Sequence, residues 1–123
     1  MVTFVHIADA RYAPAIERTG LTVPRGQRRR AETEIFKVGV FALPLIENFV
    51  VSHHWVRELK RRGFRQAVGV YFRLPDAEPV WAGAYNEVKR CVTAAQAAEW
   101  LRDTQRLGFE VIIPRSILAS ELR

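Results

Sequence analysis

The chain has 123 residues, room for one domain with a real core and too little for two. Hydrophobic residues at 49% and charged residues at 26% exclude a disordered chain, and a single cysteine, Cys91, excludes a disulfide within it. The net charge of +6 tilts the partner class toward phosphates and nucleic acid.

The opening MVTFVHIADARYAP lacks the basic-then-apolar layout of a signal peptide. The longest apolar run, VGVFALPLI, is far short of the roughly 20 residues of a membrane span. A cytoplasmic protein with no membrane partner is expected. TFVHIA (3–8) predicts a first strand from its β-branched and apolar mix. Asp9 is placed to cap a helix through RYAPAIERTG, with Pro14 early in it and Gly20 as a left-handed stop. LTVPRGQRRRAETE is polar, basic and punctuated by Pro and Gly, which predicts a loop over about 22–34.

IFKVGVFAL (35–43) predicts a second strand, and Pro44 the start of a second helix through PLIENFVVSHHWVRELKRRG. Leu45, Ile46, Phe49, Val50, Val56 and Leu59 recur there at helical spacing, and Gly63 closes it. AVGVYFRL alternates Val68, Val70, Phe72 and Leu74 on one face of a third strand. PDAEP reads as a turn and VWAGAY as a fourth strand. Thr93 and Gln96 stand at capping-box spacing ahead of a third helix. Ala97, Trp100, Leu101 and Leu107 give its buried stripe, and Gly108 its end. FEVII is the last strand, broken by Pro114. The order strand, helix, strand, helix, strand, strand, helix, strand predicts a single α+β domain. Its about three helices would pack on one curved, mixed or antiparallel sheet.

Few residues are placed for chemistry. His53 and His54 are adjacent on a helix, so their side chains diverge by about 100° and do not chelate one ion. With one cysteine and no His-x-x-x-His pair, no metal site is expected. No Walker loop, GxGxxG or GxSxG elbow occurs. Cys91 follows Arg90 but carries no further mark of a reactive thiol. There remain His6 and Glu110, each set in an apolar strand, one in the first and one in the last. A charge there costs free energy unless it is solvated or paired. Strand alternation allows both to face a wet side of the sheet. The basic clusters RGQRRR and RELKRRGFR supply nucleic-acid candidates: Arg25, Arg28, Arg29 and Arg30 in the first, Lys60, Arg61 and Arg62 in the second. A solvated loop and a helix C-terminus complemented by cations explain the same runs.

FVHIADARYAPAIERTGL resembles the opening of ADP-ribosyltransferase-like domains. There a strand carrying a histidine leads into a helix of the form I-x-x-x-G-L, here Ile16, Gly20 and Leu21. GFEVIIPRSILASEL is similar to the close of DarT-type DNA ADP-ribosyltransferases, in which the catalytic glutamate heads a short apolar strand. GVFALPLIENFVVSHHW resembles the middle strand and helix of that fold. The tRNA 2′-phosphotransferases share the outline and also use NAD.

The resemblance implies an ADP-ribosyltransferase-like fold with NAD as cofactor. Glu110 would be the catalytic carboxylate beside the ribose, and His6 would act with it and contact NAD. It assigns further NAD contacts to Phe41, Ser52, Trp55, Arg73 and Tyr85. The aromatic that stacks on nicotinamide is left open among Phe41, Trp55, Tyr71 and Tyr85. Gly108 stands two before Glu110, where arginine-modifying relatives carry Gln or Glu, which points away from arginine as the acceptor. A toxin whose cleft is plugged by an antitoxin protein fits the same outline. So does a non-enzymatic module that binds nucleic acid or a partner through the two basic clusters.

Overall fold

Six strands pair edge to edge into one open sheet in the order β3-β1-β2-β6-β4-β5, and every pairing is antiparallel. The structure, a computed structural model, describes residues 1–23, 32–47, 49–63 and 65–123, with the backbone alone for 49–53. The strands are β1 (Val2–Asp9), β2 (Val40–Pro44), β3 (Ala67–Leu74), β4 (Pro79–Ala84), β5 (Arg90–Thr93) and β6 (Phe109–Ile113). Among the described residues the helices are α1 (Ala13–Thr19), α2 (Phe49–Arg61) and α3 (Ala94–Thr104), with single 3-10 turns at Ala10–Tyr12 and Ala119–Glu121. This is the single α+β domain expected, and its sheet is purely antiparallel.

Several local signals act as expected. Asp9 ends β1 and accepts a hydrogen bond from the Arg11 amide at 3.1 Å, although the first turn it caps is 3-10 rather than α. Gly20 has φ 76° and lies so close to the 117–119 backbone that a Cβ would stand 2.0 Å from the Ile117 carbonyl oxygen. Only glycine fits there. At α3, Thr93 and Gln96 form the reciprocal capping box, which satisfies amides that the first helical turn leaves open.

Other boundaries move. Pro44 does not start a helix; it is the last residue of β2, opposite Phe4, and α2 begins at Phe49. Proline lacks only the donor, so it closes a strand as readily as it opens a helix. Ile35–Gly39 is not strand: β2 pairs with β6 only from Val40, opposite Ile113. The carbonyls of Glu34 and Ile35 are instead held by Lys89. Leu107 is exposed beyond the end of α3, which Gln105 closes in the left-handed conformation at φ 47°, ψ 38°. Arg90–Thr93, of which only Thr93 is expected from the sequence to belong to an element, as the cap of the third helix, is β5, a four-residue edge strand on β4.

The registers separate two faces of the sheet. One carries Phe4, Phe72, Val40, Val111 and Ala82, buried against Ala94, Ala97 and Leu101 of α3. The opposite face carries Val5, Phe41, Leu43, Glu110, Ile112 and Gly83. β1 and β2 pair only at Phe4↔Pro44 and Val5↔Leu43. Beyond Val5 the two strands part, and the gap opens beside His6.

Candidate functional site

A cleft of about 540 Å³ opens on this second face of the sheet. Its floor is apolar, made by Val5, Leu43 and Ile112 among others. Helix α2 forms one wall with Trp55 and Leu59, and Arg62, the first residue past its end, extends the same stripe at i, i+4 and i+7. The segment Ile35–Lys37 forms another, and Tyr85, just past β4, closes a corner.

Glu110 is the second residue of β6 and lies opposite Gly83 of β4. Its side chain is 11% exposed, and Oε1 is 3.2 Å from the Lys89 ammonium, whose side chain is fully buried at 0%. Lys89 Nζ also donates to the carbonyls of Ala84 at 2.7 Å, Glu87 at 3.1 Å and Ile35 at 3.2 Å. Burial pushes the Glu110 carboxyl above the ordinary glutamate range. The charge and hydrogen bond of Lys89, and more weakly the charge of Arg62, pull the other way without cancelling it.

His6 belongs by register to the core side of β1, opposite Val70 of β3. Where β1 and β2 part, its Nδ1 donates to the Phe41 carbonyl at 2.6 Å. A carbonyl only accepts, so Nδ1 carries the proton and the neutral ring keeps Nε2 as an acceptor. Burial holds the His6 pKa below the ordinary histidine value, against the opposing effect of the Phe41 bond. His6 is therefore neutral at pH 7.

The aromatic groups are fixed by their polar handles and by each other. Trp55 Nε1 donates to the Phe109 carbonyl at 2.8 Å, and the Trp55 and Tyr85 rings meet edge to face with centroids 6.0 Å apart. The Tyr85 amide donates to the Gly108 carbonyl at 2.9 Å, while its side chain is exposed, as is that of Phe41. Two cations stand at the rim. Arg62 bonds Glu58 at 3.2 Å, and Lys37 Nζ lies 4.0 Å from the centroid of Trp81.

His6, Phe41, Trp55, Tyr85 and Glu110 are thus brought into one cleft from five separate parts of the chain. Arg62, expected with the nucleic-acid cluster, lines the same cleft. Lys60 and Arg61 are exposed, with Arg61 3.6 Å from Glu58. Arg73 is not brought in: it stands on β3 opposite Thr3 and borders a separate polar groove with Arg115 and Arg123. Tyr71 is exposed on β3 and does not line the cleft. Arg25, Arg28, Arg29, Arg30 and the side chains of Ser52 and His53 lie outside the described residues. Among the described residues, no group of three His, Cys, Asp or Glu side chains could hold a metal, and no helix is long and apolar enough to cross a membrane.

Sequence reasoning missed Lys89, Phe36 and Lys37. Lys89 sits in the polar run YNEVKR, where a lysine reads as solvated, and nothing local marks it as buried. The nearest signal was Gly83, whose missing Cβ makes room: a Cβ there would stand 3.3 Å from Lys89 Cδ.

The site can present a carboxylate and a neutral imidazole to a ligand held between aromatic rings, with cations at the entrance. Compared with known proteins, the chain matches no family model, no curated protein and no solved structure.

Proposed function

We propose that the chain binds NAD in this cleft and transfers its ADP-ribose to an acceptor, with Glu110 as the catalytic carboxylate. The observation that carries this reading is the convergence of His6 and Glu110, from the first and last strands, with Phe41, Trp55 and Tyr85 in one cleft. Its volume of about 540 Å³ lies within the usual range for small-molecule sites. The residue types fit the ligand. Exposed aromatic faces suit flat rings, Arg62 and Lys37 suit a pyrophosphate, and a carboxylate suits ribose hydroxyls.

The bond that breaks joins the nicotinamide nitrogen to ribose C1′, and its electron pair leaves with nicotinamide. Positive charge then grows on the ribose. A fixed carboxylate facing it lowers the barrier because its orientation cost was met on folding. A nucleophilic oxygen or nitrogen of the acceptor forms the new bond to C1′ and gives up its proton. Neutral His6, anchored by the Phe41 carbonyl, orients the bound nucleotide and adds no charge that would oppose the transition state.

Exposed Lys60, Arg61 and Arg65 flank cleft-lining Arg62, which favours a polyanionic acceptor such as nucleic acid. Such binding weakens steeply as salt rises.

Calorimetry with NAD on the wild type, Glu110→Ala and His6→Ala, with nicotinamide release followed in the same samples, tests the reading. Binding weakened by His6→Ala and release abolished by Glu110→Ala are expected. A wild type that ignores NAD yet binds nucleic acid in a salt-sensitive way would reject it in favour of a non-enzymatic binding module.

A further inference from the structure

We infer that Lys89 is the positioning residue of this cleft: one buried ammonium fixes the Glu110 carboxylate and ties the 34–37 wall to it. The bearing on turnover rests on the NAD reading above; the bearing on Glu110 itself does not.

An ammonium has three protons to give. Within 3.2 Å, Lys89 Nζ meets four acceptors: the carbonyls of Ala84, Glu87 and Ile35, and Glu110 Oε1. They come from the end of β4, the turn after it, the wall segment and β6, so one group joins four pieces of chain. The backbone does the same, since the Lys89 amide donates to the Glu34 carbonyl at 2.7 Å. Ile35, Phe36 and Lys37, next along that segment, line the cleft.

A fully buried ammonium needs a counter-charge, and among the described residues Glu110 is the carboxylate in ion-pair reach. The dependence runs both ways. Burial disfavours the Glu110 anion, and the cations that oppose this are Lys89 in contact and Arg62 at a distance. Among the described residues, the remaining charged or titratable groups that line the cleft are His6 on β1, Lys37 on the wall and Tyr85 after β4. His6 is neutral and Lys37 lies over the Trp81 ring, 4.0 Å from its centroid, which leaves Lys89 as the partner that holds the carboxylate in place. Gly83 completes the device. It faces Glu110 across the β4–β6 ladder and leaves the space that the Lys89 stem occupies.

The test uses protein with carbon-13 in the glutamate carboxyls and nitrogen-15 in the lysines, followed by NMR across pH, with nicotinamide release measured in parallel. In Lys89→Met the Glu110 midpoint should move upward. Release at pH 7 should fall about tenfold or more and recover as pH is raised. A merely structural lysine would give a loss that alkali does not restore. An unchanged Glu110 midpoint in folded Lys89→Met overturns the inference. Should that variant fail to fold, Glu110→Gln decides, because it leaves Lys89 intact. The Lys89 ammonium signal should shift and exchange its protons faster there, and a signal indifferent to Glu110→Gln overturns the inference. A wild type that releases no nicotinamide defeats the NAD reading, while the two titration arms still decide the role of Lys89.

Discussion

Two ionic clusters in this molecule each set a cation against glutamate, to opposite ends. Arg115 lies between Glu78 and Glu121 and bonds both in forked fashion, at 2.9 and 3.0 Å to the first and 3.1 and 3.0 Å to the second. Glu121 also accepts from the Leu118 amide at 2.7 Å. The Arg115 bond holds the Glu121 carboxyl below its ordinary range, and the bonds to Glu78 and Glu121 raise Arg115 above its own. Arg115 and Glu121 are each more at ease in the charged form there than in water. In the cleft the balance is reversed. Lys89 shares itself among three carbonyls and Glu110, and the carboxyl still sits above its ordinary range because it is buried. A cluster that ties down a chain segment satisfies its carboxylates fully. One that leaves a carboxylate disfavoured beside an open cavity keeps it ready for a cationic or hydroxylic ligand.

The largest effect that separates the two clusters is on stability. Lys89→Met strands the partly buried Glu110 carboxylate and three carbonyls, and should cost about 3–5 kcal/mol in urea unfolding at pH 7. Adding Glu110→Gln should return part of that loss, since no uncompensated charge remains. A double variant as unstable as the sum of its parts would mean the two side chains do not interact.

Turnover comes next. Glu110→Gln keeps the size of the side chain and removes the charge, so under the proposed function nicotinamide release should fall about 10²- to 10³-fold. NAD affinity should change far less, because the carboxylate acts on charge that develops only in the transition state. Equal losses in affinity and rate would make Glu110 a simple binding group.

Arg115→Ala should be milder. The guanidinium is 37% exposed, so solvent already screens it and the loss should be about 1 kcal/mol for the whole fork. NAD affinity should be unchanged, because Arg115 borders a different groove from the cleft. A drop in affinity would show that the two clusters are coupled through β6, and the contrast between them would fail.

How far these clusters can be read from sequence follows the range of the forces involved. Glu110 was legible because a charge inside FEVII conflicts with its neighbours, and such a conflict is local. The same holds for His6, for the capping box at Thr93 and for the Gly20 stop. Phe41, Trp55 and Tyr85 were legible only as alternatives, since their meeting depends on where α2 and β4 lie. Lys89 was not legible. Its partners are 54, 5, 2 and 21 positions away, and its burial comes from the turn that follows β4. Pro44 and Ile35–Gly39 misled for the same reason. Proline suits either element, and an apolar run pairs as strand only where a neighbour offers its edge. Val40 has Ile113 opposite, whereas Ile35 gives its carbonyl to a lysine side chain.

The smallest effect is in the pH dependence, and its sign distinguishes the clusters most cleanly. A folded Glu110 keeps its proton above the ordinary glutamate value of 4.5, where the unfolded chain has lost it. The native state then binds more protons, so this group lowers stability as pH rises from 4.5 through its folded midpoint. Glu121 does the reverse. Its folded carboxyl loses the proton first, so its contribution is present above 4.5 and is lost as pH falls through its folded midpoint. Unfolding free energies measured from about pH 3 to 7 should therefore show Glu110→Gln gaining on the wild type as pH rises and Glu121→Gln falling behind it. Slopes of the same sign would mean that Lys89 satisfies Glu110 as fully as Arg115 satisfies Glu121. The cleft carboxylate would then be a structural tie and nothing more.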